Sequence, residues 1–404
     1  MEFIEGGVTA AQGFSASGLH CGIRKNKTKP DLALIYSDRD CAAAGVYTRN
    51  LVQGAPIAVT KKNIADGKAR AIVCNSGIAN TCAPDGLEKA EKMCEIIGEV
   101  LGIPSTDVVV ASTGVIGPSL PIEPIADSAQ ALKDALRPDG SPMAATAIMT
   151  TDTFPKEAAV KVEIGGKEVR VGGIAKGSGM IHPNMATMLS FVTTDCAISP
   201  EMLQKAIKAA ADATYNMVTV DGDTSTNDTF MVLANGAAGN PEITGEGEDY
   251  EAFAAALEAV GRKLSKMLAK DGEGASKLLV VRVEGAPDLH TARTVARSVS
   301  GSSLFKAAMF GNDANAGRVL CAIGYAGVPV DVDKIDVTFR SQTGSEQVCR
   351  AGLVADFSEE HALAVISQPE LETVIDLHMG EVSAEAYGCD LTYDYVKINA
   401  DYRS

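Results

Sequence analysis

Short apolar, β-prone runs alternate with helical patterns along the first half of this chain, and that alternation restricts the fold to the α/β class. Residues 32–36, 71–74 and 108–111 read as strands, and residues 87–101 and 124–136 as helices. Residues 158–171 alternate apolar and polar positions on either side of Gly165-Gly166, the pattern of a hairpin. That hairpin leads straight into a glycine-rich loop beginning at Lys176. Beyond it the pattern predicts a strand over 188–193, a helix capped by Ser199 and opened by Pro200, and a strand over 230–234. A long helix over 250–270 and a strand over 278–283 follow. A boundary near Lys277 divides the chain into 1–277 and 278–404. Periodicity of this kind gives the class and leaves strand order open.

A length of 404 residues with 46% hydrophobic content suits a globular chain of two or three domains. No apolar run approaches the roughly 18 residues of a membrane helix, so no membrane partner is expected. The opening Met-Glu-Phe-Ile-Glu lacks a basic, then apolar, leader pattern, and a cytoplasmic location is expected. Nine cysteines, an odd number with no C-x-x-C pair, read as reduced and mostly buried thiols. Five scattered histidines without an H-E-x-x-H motif predict no metal site. A net charge of −16 and the absence of a basic stripe exclude nucleic acid as a partner.

The run KGSGMIHPNMATML, residues 176–189, sets a polar, glycine-rich loop against Ala186-Thr187. A threonine is a weak nucleophile until a base stands beside it, and cutting the chain before it supplies that base as its own α-amine. With a reference pKa of about 7.7–8.0, such an amine is partly unprotonated near neutrality. By residue type alone the same stretch also reads as a loop feeding a buried strand. Two further patterns fail on inspection. Residues 221–228 place glycine second, where a calcium loop needs it sixth, and Val232 stands in place of the bidentate glutamate. They read instead as a capped turn that organises a pocket. Residues 172–177 fit G-x-x-x-x-G, but Ser178 follows where a phosphate-binding loop needs lysine. His182 reads as a loop-shaping residue.

The 176–189 run resembles the cleavage-site motif of the ornithine acetyltransferase (glutamate N-acetyltransferase) family of arginine biosynthesis. Similar stretches follow in the same order along the chain: GFSASGLHCGI from Gly13, VCNSGIANTCAPDG from Val73, VVASTGVIG from Val109 and IMTTDTFPK from Ile148. They continue with TVDGDTSTNDT from Thr219, DGEGASK from Asp271 and GCDLTYDYVKINADYRS from Gly388. The resemblance implies an α/β fold of stacked sheets between helical layers (αββα), similar to the aminopeptidases that cut themselves before a serine, with a C-terminal α/β domain whose tail returns to the active site.

The same resemblance implies roles for individual residues. Autocleavage between Ala186 and Thr187 would free Thr187 as nucleophile. Thr113 and Gly114 would form the oxyanion hole. Lys176 would meet a substrate carboxylate and Glu273 an ammonium, with Thr153, Asn399 and Ser404 adding hydrogen bonds; Ser404 stands where many relatives end in threonine. Read as isolated residue types, Lys176 and Glu273 are ordinary solvated loop charges, and Ser112-Thr113-Gly114 a strand-ending turn. The implied reaction moves acetyl from N2-acetylornithine to glutamate through acetyl-Thr187, without a cofactor, acetyl-CoA being a candidate second donor. The implied particle is an α2β2 tetramer of the two fragments. Two rivals remain open: an amidase or aminopeptidase of the same fold that passes the acyl group to water, and a non-catalytic binding protein that stays one chain.

Overall fold

A computed structural model describes residues 1–182 and 188–401. The chain opens with β1 (Glu2–Ile4), β2 (Phe14–Leu19) and the long β3 (Leu32–Tyr47). Then come α1 (Ala55–Asn63), β4 (Lys68–Ile78), α2 (Gly86–Leu101), β5 (Val108–Val115), α3 (Glu123–Asp134) and α4 (Ser141–Ala147). The predicted hairpin is present as β6 (Lys156–Ile164) and β7 (Lys167–Lys176). Gly165 and Gly166 turn it with φ of 55° and 71°, the left-handed pair that a two-residue hairpin turn favours. Next are β8 (Leu189–Thr194), α5 (Pro200–Ala213), β9 (Val218–Thr219), β10 (Thr229–Ala234) and α6 (Glu248–Lys270). The Ser199 hydroxyl accepts from the Met202 N–H, so α5 starts with the cap its sequence predicts.

Nine strands share one sheet in the order β1-β6-β7-β8-β10-β3-β4-β5, with β2 also on β3. β3 is long because it serves two halves. Its first part pairs with β2 and β4 and its last part with β10, and the register against β4 shifts between Tyr36 and Cys41. There the sheet folds over on itself. Ala33, Ile35, Ile72, Cys74, Val109 and Ala111 of one half bury in a common core with Ile174, Leu189, Phe191, Met231 and Leu233 of the other.

Because side chains alternate across a strand, the intervening residues face outward. Leu32, Leu34, Val73 and Val110 pack with Met93 and Ile97 of α2 and Ile125 and Leu132 of α3. On the far side Val46, Val171, Val192 and Val232 pack with Leu203 and Ile207 of α5 and Phe253, Leu257 and Leu264 of α6. The result is the expected α/β architecture of stacked sheets between helical layers.

The remainder builds on β11 (Leu278–Ala286), followed by α7 (Leu289–Ser300), α8 (Ser303–Phe310) and α9 (Ala316–Gly324). β12 (Asp336–Ser341), β13 (Gly344–Arg350), β14 (Leu353–Val354), α10 (Glu359–Ile366), β15 (Glu370–Asp376), β16 (Val382–Cys389) and α11 (Tyr393–Asp401) complete it. The second sheet runs β14-β13-β12-β15-β11-β16-β9. Its edge strand β9 comes from before Lys277 and pairs with β16 through Tyr387 and Val218. One face of this sheet, through Leu278, Val280, Tyr387 and Cys389, joins the α6 core. The other, through Leu279, Val281 and Val283, packs on Val295 of α7 and Val319 of α9. Among the described residues no helix is long and apolar enough to cross a membrane.

Candidate active site

A cavity of about 180 Å³ opens where the ends of β5 and β7 meet the chain after α6. Thr113, Gly114, Lys176, Glu273 and Asn399, all singled out from sequence, line it together. Met188 and Leu189, which follow the Ala186-Thr187 junction, form part of its wall. Ala186, Thr187 and Ser404 lie outside the described residues.

Gly114 sits opposite Gly77 in the parallel β4–β5 pair, with φ of 133°. A Cβ at that position would overlap the Gly77 carbonyl carbon, so only glycine lets the two strands approach this closely. The Lys176 ammonium donates to the Thr113 hydroxyl oxygen at 3.4 Å. At the other pole of charge, Asn399 Nδ2 donates to Glu273 Oε2 at 2.8 Å, which carries α11 back to the loop after α6. A Cβ at Gly179 would run into the Glu273 carboxylate, so this glycine leaves room for it.

Beneath the cavity lies a charge cluster that sequence reasoning missed. The fully buried Lys156 donates to Asp152 Oδ1 at 2.7 Å and to Asp271 Oδ2 at 2.5 Å. Asp152 also accepts from the backbone N–H of Gly177 at 2.7 Å and of Thr150 at 2.9 Å, with the Lys176 ammonium 4.0 Å away. Burial alone would raise the Asp152 carboxyl; the Lys176 and Lys156 cations and these hydrogen bonds hold it well below the usual carboxylate range. Lys176 is lowered from the ordinary lysine value, because its desolvation outweighs the attraction of Asp152. The Ser178 hydroxyl donates to the Asp271 carbonyl at 2.6 Å, and the Glu273 N–H to the Ser178 carbonyl at 3.1 Å. These bonds clamp the loop after β7 to the loop after α6.

Thr153 departs from its expected place. Its N–H and its hydroxyl both donate to the Asp271 carboxylate, and it lines a neighbouring cavity with Asp271 rather than the one at Thr113. In its stead Thr150 and Thr151 reach the wall, together with Ser225, Asn227 and Asp228.

The 221–228 segment organises the pocket as its turn chemistry suggested. Asp221 accepts from the Met180 N–H at 2.7 Å and the Ile181 N–H at 2.8 Å. Asn227 donates to the carbonyls of Ala79 at 2.6 Å and Ser112 at 3.0 Å, which ties it to the end of β5. His182 shapes the loop from outside: Nδ1 lies 3.0 Å from the Thr219 hydroxyl and Nε2 3.2 Å from Arg297. Among the described residues no group of His, Cys, Asp and Glu is placed to hold a metal ion.

The model of the ArgJ family matches residues 15–404. The chain belongs to the ArgJ family. It is 52% identical to the arginine biosynthesis bifunctional protein ArgJ of Symbiobacterium thermophilum over the full length of both chains. Among solved structures it resembles the ArgJ protein of Bacillus halodurans, with 44% identity and a TM-score of 0.50, over 54% of this chain and 100% of that one. An ornithine acetyltransferase of Mycobacterium tuberculosis, solved with ornithine, is 34% identical over 46% of this chain and 98% of its own, with a TM-score of 0.40. ArgJ membership makes the chain an acyltransferase of arginine biosynthesis.

Proposed function

We propose that the chain transfers acetyl from N2-acetylornithine to glutamate by double displacement on Thr187. The Thr187 hydroxyl first attacks the Ala186 carbonyl, and the C–N bond breaks as the acyl group moves to oxygen, which frees the Thr187 α-amine; water then hydrolyses the ester, releasing the Ala186 carboxylate and restoring the hydroxyl. That amine then takes the hydroxyl proton as the oxygen attacks the acetyl carbonyl of acetylornithine. Ornithine departs with the proton on its nitrogen. Glutamate's amine attacks the acetyl ester in turn, and N-acetylglutamate leaves as the threonine hydroxyl is restored.

The observation that carries this reading is the convergence of Thr113, Gly114, Lys176 and Glu273 on one cavity whose wall includes Met188. Thr113 and Gly114 stabilise the oxyanion. Lys176 meets the substrate α-carboxylate, and its 3.4 Å contact with Thr113 suits an N-acetyl amino acid, in which carboxylate and acylated nitrogen share one carbon. Glu273, oriented by Asn399, meets the terminal ammonium of acetylornithine. Ser404 adds a hydrogen bond, while Thr153, whose hydroxyl is turned to Asp271, holds that carboxylate beneath the cavity.

The exchange requires no cofactor, and acetyl-CoA enters as a second donor through the same ester. The working particle is an α2β2 tetramer of the two fragments in the cytoplasm. A denaturing gel with amino-terminal sequencing tests the scheme: two bands, the second beginning at Thr187, are expected, and active protein that stays as one band overturns it.

A further inference from the structure

Asp228 takes part in none of the roles described so far. It is 1% exposed, yet it lines the cavity. Among the described residues its Oδ2 has no hydrogen-bond partner. A buried oxygen without a partner carries a desolvation penalty that folded proteins seldom keep without compensation.

The backbone around it is well tied. The Asp228 carbonyl accepts from the Thr48 N–H at 3.0 Å, and the next residue, Thr229, donates its N–H to the Met188 carbonyl at 3.0 Å. Thr229 lies opposite Leu189 in the parallel β8–β10 pair, which sets Asp228 beside Met188 at the mouths of neighbouring strands. Thr187 is bonded to Met188, and a trans peptide holds successive Cα atoms about 3.8 Å apart.

The charged groups that share this cavity are Lys176 and Glu273, and each is already engaged, Lys176 with Thr113 and Asp152, Glu273 with Asn399. Burial pushes the Asp228 carboxyl well above the usual carboxylate range, and hydrogen bonds from the Ser225 and Thr48 hydroxyls and the Met188 N–H, with the Lys176 charge, offset only part of this.

We propose that Asp228 is a positioning residue: its carboxyl accepts a hydrogen bond from the α-amine released at Thr187 and turns that amine toward the threonine hydroxyl. The proposal rests on the reading of Thr187 as nucleophile. Cleavage converts an amide nitrogen into an amine with additional N–H donors, and Asp228 supplies an acceptor where those donors appear.

The test compares wild type with Asp228→Asn, which keeps the size, and Asp228→Glu, which keeps the carboxyl. In Asp228→Asn the kcat should fall on the order of 10²-fold while KM for acetylornithine changes less than about threefold. An ammonium released beside Asp228 favours the ionised carboxyl despite its burial; Asp228→Asn removes that anion and lowers the ammonium's pKa, so the acidic limb of kcat/KM should move to lower pH by about one unit. Asp228→Glu should recover part of the rate. If Asp228→Asn stays uncut but melts like Thr187→Ala, the carboxyl acts before any free amine exists, and the proposal is overturned. A wild-type kcat and pH profile in Asp228→Asn overturns it, as does equal loss in both variants with lowered melting temperatures, which marks a structural role. An acetyl group found on Thr187 of the wild type, alongside any overturning result, leaves the nucleophile reading intact and removes only Asp228; absence of acetyl there removes both.

Discussion

The Lys176 ammonium lies 3.4 Å from the Thr113 hydroxyl oxygen, and this contact joins the end of β7 in one half of the folded-over sheet to β5 in the other. Thr113 and Lys176, the proposed oxyanion donor and carboxylate-binding cation, are thus held by different layers of the sandwich. Removing the Thr113 hydroxyl takes away an interaction made mainly in the transition state. Thr113→Ala should therefore lower kcat on the order of 10²-fold with little change in KM. Steady-state kinetics decide the matter, and a raised KM with intact kcat would make Thr113 a substrate contact.

Lys176 gives a pH dependence with a definite sign. Its pKa is lowered, mainly by desolvation, so it loses its charge below the ordinary lysine value of about 10.4. Substrate carboxylate binding needs the charged form. KM for acetylornithine should rise on the alkaline side before an ordinary lysine would titrate, and Lys176→Arg should remove that rise. A KM independent of pH up to that value contradicts the assignment.

The buried cluster predicts a stability effect. Lys156 is shared by Asp152 and Asp271, and removing one carboxylate leaves part of a buried charge uncompensated. Asp152→Ala should cost about 3–5 kcal/mol in chemical denaturation. Because the native Asp152 pKa lies below its unfolded value, its contribution is fully present above about pH 4 and is lost as pH falls through the native pKa. A loss of under about 1 kcal/mol, typical of exposed pairs, would show that the cluster is not held together by these charges.

Local chemistry explains what is legible in the sequence. Gly165-Gly166 and Ser199-Pro200 announce their turn and cap because each acts within a few residues. β3 is legible only as far as Tyr36, since Asp38, Arg39 and Asp40 interrupt the apolar run; they are exposed at the fold-over, and buried Ala43 and Ala44 resume beyond it. Thr113, Gly114, Lys176, Glu273 and Asn399 stand out through motif resemblance, because nothing local tells a pocket charge from a surface one. Asp152, Lys156 and Asp271 stay hidden for the same reason, as the ion pair between Lys156 and Asp271 spans 115 residues. Thr153 is expected on the substrate because its chief partner, Asp271, lies in a distant motif.

Gly179 leaves room for Glu273, the proposed partner of the substrate ammonium. An alanine there would displace the Glu273 carboxylate that Asn399 holds. Gly179→Ala should raise KM for acetylornithine about tenfold, the loss expected for a charged hydrogen bond, provided processing is unchanged. The companion measurement is KM for an N-acetyl amino acid without a terminal ammonium, which should not change. Equal losses for both substrates would point to general damage to the loop.

Thr187→Ala should leave the chain uncut and inactive, since it removes the attacking oxygen. Transfer in that variant would assign the nucleophile elsewhere.

The acetyl-threonine ester is the step on which the whole scheme depends, and intact-mass spectrometry reads it directly. Processed protein incubated with N2-acetylornithine and no acceptor should gain one acetyl mass on the fragment that begins at Thr187, and glutamate should discharge it. Acetyl-CoA as sole donor should produce the same adduct. An adduct from acetylornithine alone would restrict the enzyme to one donor, and no adduct on that fragment from either donor would contradict double displacement through Thr187.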